Sequence, residues 1–107
     1  MNLNEPMISE ISQIFGALGD ESRLRILRTL LAAGAPLPQG ELAEAAGLSQ
    51  PNASKHLIYL ARVGLVTRER QGNLMLFSLA TPMVTEVCDL VCEHVRKRIQ
   101  HAYSSCK

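Results

Sequence analysis

The chain has 107 residues, 47% of them hydrophobic and 20% charged. That content is enough for a core and argues against disorder, while the length suits one domain, residues 1–107, with dimerisation as a natural supplement to its small interior. No apolar run approaches the roughly 20 residues of a membrane span. Met1 to Glu10 has no basic leader and carries Glu5 and Glu10, so a cytoplasmic protein is expected.

The net charge of +1 decides little, but its distribution is uneven. Between Ser49 and Ala80 the bases are Lys55, Arg62, Arg68 and Arg70, and the only acid is Glu69. Acids gather elsewhere, at Glu41, Glu44, Glu86, Asp89 and Glu93. A local cation on a nearly neutral protein is what a focused DNA contact requires.

In chain order, Met7 to Leu18 spaces Ile8, Ile11, Ile14, Phe15 and Leu18 as an amphipathic helix, which Gly19 interrupts. Asp20 is positioned to cap a second helix, Glu21 to Ala33, with Leu24, Ile26, Leu27, Leu30 and Leu31 as its apolar side. Gly34 to Pro38 is expected to be a loop, because one glycine and two prolines punctuate it. A short third helix follows, Gln39 to Ala46, closed by Gly47. Ser49 caps a fourth, Gln50 to Val63, with Pro51 harmless in its first turn and Gly64 at its end. Leu65 to Arg70 and Leu74 to Leu79 read as strands around a Gln71-Gly72-Asn73 turn. Thr81-Pro82 opens a last helix to about Ala102, with a stripe of Val84, Val87, Cys88, Val91, Cys92, Val95 and Ile99.

The fold class is thus mainly α with a small β-hairpin. A short helix, a glycine turn and a capped helix make a DNA-reading helix-turn-helix, and the hairpin after it is a wing. With Ala53, Leu57 and Leu60 facing inward, Gln50, Asn52, Ser54, Lys55 and His56 are left largely for the outer face. Gln and Asn suit adenine edges, Lys suits guanine or phosphate, and Ser49, Ser54 and the helix N-terminus suit phosphate oxygens. A solvated polar face, with His56 tucked in to support the turn, is the plainer alternative. Arg68 and Arg70 share one strand face, opposite Glu69, and are placed for phosphate or the minor groove. Arg23, Arg25 and Arg28 are expected to solvate the second helix and pair with nearby acids.

Three stretches resemble the ArsR/SmtB family of winged-helix repressors. They are Leu18-Gly19-Asp20-Glu21-Ser22-Arg23-Leu24-Arg25-Ile26-Leu27; Glu41-Leu42-Ala43 through Gly47-Leu48-Ser49-Gln50-Pro51-Asn52-Ala53-Ser54-Lys55-His56-Leu57; and Leu60-Ala61-Arg62-Val63-Gly64-Leu65-Val66. The resemblance spans roughly Phe15 to Leu79. It implies a homodimer, built by the first and last helices, on an imperfect inverted repeat of double-stranded DNA. It also implies an effector, since many members sense metals through clustered ligands.

Cys88 and Cys92, four apart on one helix, share a face, and Cys106 lies fourteen residues beyond. Three thiolates would suit arsenite or a soft divalent metal, and a thiol switch is a second option. Both residues also sit on an apolar stripe, where cysteine serves as a small hydrophobe. The family's cysteine pair at the start of the third helix is absent, and so is its redox cysteine in the second. Its last-helix zinc pattern is not matched, because Asp89 is followed two residues on by Val91; His94 and His101 are an unconventional ligand pair or a solvated face. Three function readings remain: a repressor released by an effector, a repressor of this family without metal or redox sensing, and a winged-helix module that binds protein. An enzyme is least favoured, with no nucleophile–base set or phosphate loop.

Overall fold

The computed structural model describes residues 4–105, and side chains to residue 101. The order is α1 (Glu5–Leu18), α2 (Glu21–Ala33), β1 (Leu37–Pro38), α3 (Gln39–Ala46), α4 (Gln50–Arg62), β2 (Val66–Gln71), β3 (Leu74–Leu79) and α5 (Pro82–Ser105). The fold is the winged helix-turn-helix expected from the sequence, with one addition. Leu37–Pro38, expected as loop, pairs antiparallel with β3 and makes a three-stranded sheet of order β1-β3-β2. Proline is tolerated there because β1 is an edge strand.

The core is a single cluster. Ile26, Leu27 and Leu30 of α2 meet Leu42 and Ala46 of α3, Leu57 and Leu60 of α4, Leu65, Val66 and Phe77 around the sheet, and Val84 at the start of α5. Helix ends are closed by their own sequence. Asn4 caps α1 two residues earlier than the apolar periodicity indicated, by accepting from the Met7 amide at 3.1 Å. Asp20 accepts from the Arg23 amide at 3.0 Å, and Ser49 from the Asn52 amide at 3.2 Å.

The two helices of the helix-turn-helix end in the same way. Gly47 (φ +72°) and Gly64 (φ +82°) are left-handed. Behind them, Leu48 donates to the Ala43 carbonyl and Leu65 to the Leu60 carbonyl, both at 2.9 Å. This paired-bond ending turns the chain sharply and returns an apolar residue to the core.

Arg23 does not solvate α2. Its Nε donates to the Ala17 carbonyl at 2.9 Å and its Nη2 to the Gly16 carbonyl at 3.1 Å, closing the C-terminal end of α1. Its guanidinium carbon lies 4.4 Å from the centre of the Tyr59 ring on α4. A cation at a helix C-terminus and over an aromatic face is favoured on both counts. Arg25 does pair as expected, with Glu21 at 3.3 Å.

The stripe on α5 is buried only at its start. Val84 is in the core and Val87 and Cys88 are half-buried, whereas Val91, Cys92, Val95 and Ile99 are exposed. Leu24 on α2 and Met7, Ile8 and Phe15 on α1 are also exposed, Phe15 at 65%. Among the described residues no helix is long and apolar enough to cross a membrane.

Replacing Asp20 with alanine removes the α2 cap and is expected to cost about 1 kcal/mol of folding stability, read as a lowered urea midpoint with unchanged slope.

Candidate nucleic-acid interface

The outer surface of α4 is set by what the helix buries. Ala53, Leu57 and Leu60 are sealed in the core as the pattern required. Ser49, Gln50 and Lys55 are exposed, and Asn52 and Ser54 are half-exposed beside them. The N-terminus of α4 is tied to α3 by the Gln39 side chain, which donates to the Gln50 carbonyl at 3.4 Å. A Cβ at Gly40 would stand 3.4 Å from the Gln50 side-chain Nε2.

His56 is the exception. Of the residues assigned to the outer face it alone is buried, at 8% exposure, so the inward alternative is the one the structure adopts. Position 56 follows Ala53 by three and precedes Leu60 by four, which places it on the inner stripe. Burial pushes its imidazole below the usual 6.5, and the neighbouring Lys55 and Arg23 charges push the same way, against the pull of Asp20. Asp20 is itself held below the ordinary carboxylate range, chiefly by the Arg23 amide at the cap.

On the wing, Arg68 pairs with Phe77 and Arg70 with Met75, while Val66 pairs with Leu79. Cross-strand partners share a sheet face, so both arginines continue the face whose base is the buried Val66 and Phe77. Glu69 projects from the other face. The turn is tighter than expected, because Gln71 pairs with Leu74 and only Gly72 and Asn73 form the loop. Gly72 at φ +60° has the sign that a two-residue II′ hairpin needs at its first central residue.

Arg62 was not singled out from the sequence beyond its charge. It is exposed in the last turn of α4 and borders a groove with Arg68. Lys55, Arg62, Arg68 and Arg70 make no ion pair among the described residues. Their charge is therefore available to a partner.

The cysteines lie on α5, away in sequence from the residues assigned to the DNA contact. Cys88 and Cys92 line an open, mainly apolar groove of about 560 Å³ between α2 and α5, with Leu24, Arg28 and Val91 among its walls. Burial pushes the Cys88 thiol up, and the Asp89 and Cys92 charges push it further. Cys92 is exposed, and Arg96 Nη2 approaches its Sγ at 3.5 Å. Arg96 also pairs with Glu93 at 2.7 Å. Cys106 lies outside the described residues. Among those described, no three His, Cys, Asp or Glu side chains are grouped to hold a metal ion, His94 and His101 included. Within one chain, the described thiols do not by themselves fit a metal centre.

Residues 18–69 match a family described as a helix-turn-helix domain. The chain is 34% identical over 85 residues to Rv0081 of Mycobacterium tuberculosis, an uncharacterized helix-turn-helix transcriptional regulator, covering 78% of this chain and 73% of the relative. It is 34% identical over 92 residues to the regulator NmtR of the same organism, covering 86% and 75%. The crystal structure of Rv0081 superposes with a TM-score of 0.80 at 29% identity, covering 94% of this chain and 99% of that one. The crystal structure of AntR, an antimony-specific transcriptional repressor, superposes at 0.79 with 26% identity, covering 94% and 90%.

Burial lowers the pKa of the His56 imidazole in the folded chain, so the unfolded chain protonates first. Stability is expected to be full above about pH 6.5 and to fall as pH drops below that value, until the lower folded-state pKa is reached. Urea midpoints between pH 5 and 7.5 should show the fall, and His56→Gln should flatten it; an equally steep fall in the variant would assign it to other groups.

Proposed function

Because this chain belongs to the ArsR/SmtB-type family of winged helix-turn-helix transcriptional regulators, we propose that it is a homodimeric repressor that lays α4 in the major groove of an inverted-repeat operator. The observation that carries this reading is the set of free cations, Lys55, Arg62, Arg68 and Arg70, on the exposed face of α4 and the adjoining wing face. Ser49, Gln50, Asn52 and Ser54 supply hydrogen-bonding groups at the start of α4, the end that enters the groove in helix-turn-helix proteins. Arg68 and Arg70 take the flanking backbone or minor groove. His56 acts from inside, holding α4 against α2, and takes no part in the contact.

The exposed apolar residues of α1 and α5 support the dimer. Phe15, Leu90, Val91, Val95 and Ile99 are large apolar side chains left exposed, as a dimer contact would use. A twofold axis through these helices presents two copies of α4 to half-sites one or more helical turns apart.

The effector reading rests on Cys88 and Cys92, which lie on α5 and line its groove with α2. An effector there shifts α5 against α2 and so alters the spacing of the two reading helices. The antimony specificity of AntR supports a thiophilic agent. A metal or metalloid such as arsenite would need a further ligand, from Cys106 or the partner subunit. A thiol-reactive agent needs none, and exposed Cys92 beside Arg96 is its better target.

A mobility shift on the protein's own promoter fragment tests the DNA reading. Binding should weaken steeply with salt, and Lys55→Ala should cost about tenfold; indifference to both would favour a protein-binding module. Val95→Glu with Ile99→Glu should give a monomer by sedimentation velocity, with operator affinity lost. Release by arsenite, zinc, cadmium, peroxide or polysulfide that disappears in Cys88→Ser/Cys92→Ser would name the effector chemistry. Binding that no agent disturbs would return these cysteines to a packing role.

A further inference from the structure

A second groove, of about 490 Å³, runs between the C-terminal half of α4 and the base of the wing. Ile58, Ala61 and Arg62 form one wall, and Val66, Thr67 and Arg68 the other. Ile58 is out of character for its surroundings. It is 50% exposed, while Ala53, Leu57 and Leu60 on the same helix are sealed in the core. Two of its four neighbours along the helix are cations, Lys55 three residues before it and Arg62 four after it, beside Ser54 and Ala61, and Arg68 lies across the groove. None of these three cations is paired among the described residues.

An apolar side chain flanked by free guanidinium and ammonium groups restricts what can cover it. The partner must bring negative charge to the rim and an apolar group to the centre. Double-stranded DNA does both in its major groove, where phosphates line the edges and the C5-methyl of thymine is the one apolar feature of the base pairs.

We propose that Ile58 is a specificity-determining residue that packs on a thymine methyl of each half-site, while Arg62 and Arg68 hold phosphates of the strand lying along this groove. The proposal rests on the DNA-binding reading above and adds to it a base identity and two phosphate contacts. Arg62 becomes part of the interface, and the apolar groove becomes part of the reading surface.

The test uses a duplex selected by the wild-type protein from random-sequence DNA, then resynthesised with deoxyuridine in place of each thymine in turn. That change removes only the methyl. At one thymine per half-site the wild type should lose about fourfold in affinity for each methyl removed, the equivalent of one buried apolar carbon. Ile58→Ala should bind the thymine and deoxyuridine duplexes equally. Ile58 is half-exposed and outside the core cluster, so a melting temperature only slightly changed is expected and separates recognition from folding. Arg62→Ala should weaken all duplexes alike and flatten the plot of log affinity against log salt by about one unit of slope per protomer. Wild-type indifference to deoxyuridine at every position would overturn the proposal, as would an undiminished deoxyuridine penalty in Ile58→Ala. Failure to select any duplex would overturn the DNA-binding reading itself, and this proposal with it.

Discussion

The side chain of Arg23 is the point on which the helical arrangement turns. From the first turn of α2 it satisfies two carbonyls at the end of α1 and lies over the Tyr59 ring of α4. Its own amide is meanwhile bound by Asp20, the residue that starts α2. One residue thus closes one helix, belongs to the capped turn of a second and packs on a third. The Ala17 carbonyl would otherwise need water or another partner, because the last carbonyls of a helix have none within it, while the Gly16 carbonyl also accepts from the Gly19 amide at 3.2 Å. Substituting lysine would keep the charge but lose the planar fork that serves two carbonyls and a ring together. His56 sits in the same neighbourhood, and Asp20, Arg23 and Lys55 all act on its charge. The orientation of α4 is therefore fixed by a small, half-buried polar cluster as well as by the apolar core.

The helix α2 borders two regions that the chain keeps apart. Its first turn holds Arg23 and Asp20 beside Tyr59 and His56 of α4. Its exposed flank, with Leu24 and Arg28, walls the groove that contains Cys88 and Cys92. α5 is anchored mainly at its start, by Val84, and carries its later apolar residues outside the core of its own chain. A weakly anchored helix responds to chemistry on its surface more readily than a fully packed one, since fewer contacts must be given up. α2 is thus the element that borders both the cysteine groove and α4.

Much of this was legible in the sequence because it depends on neighbours in sequence. The caps at Asp20 and Ser49, the glycine endings at Gly47 and Gly64 and the inner stripe of α4 are local devices, and the structure has each where the residues put it. What escaped is tertiary. β1 is two residues long and exists only because β3 lies alongside it, which no pattern in Gly34 to Pro38 announces. Arg23 looks like one more surface arginine until α1 ends beside it and Tyr59 comes round from α4. His56 could be read either way, since a polar residue on an inner stripe is resolved only by what it packs against. The stripe of α5 was visible as a stripe, but periodicity does not say whether the surface it meets belongs to the same chain. Ile58 did carry a signal, as an apolar residue on the side of α4 away from the inner stripe.

The division of charge completes the reading of the interface, because a nearly neutral protein must choose how it meets a polyanion. The acids Glu41 and Glu44 stand exposed on α3, and Glu86, Asp89 and Glu93 lie along α5. A duplex that approached along either helix would bring phosphates toward carboxylates, a repulsion that falls off over roughly a Debye length of 10 Å at ordinary salt. An approach that brings α4 and the wing forward together presents Lys55, Arg62, Arg68 and Arg70, with Glu69 on the other face of its strand. With so few cations, general attraction to DNA is modest, and most of the discrimination between sites falls to the groups that touch base edges. A small net charge is therefore consistent with a sequence-reading protein, for it limits the non-specific binding against which any operator must compete.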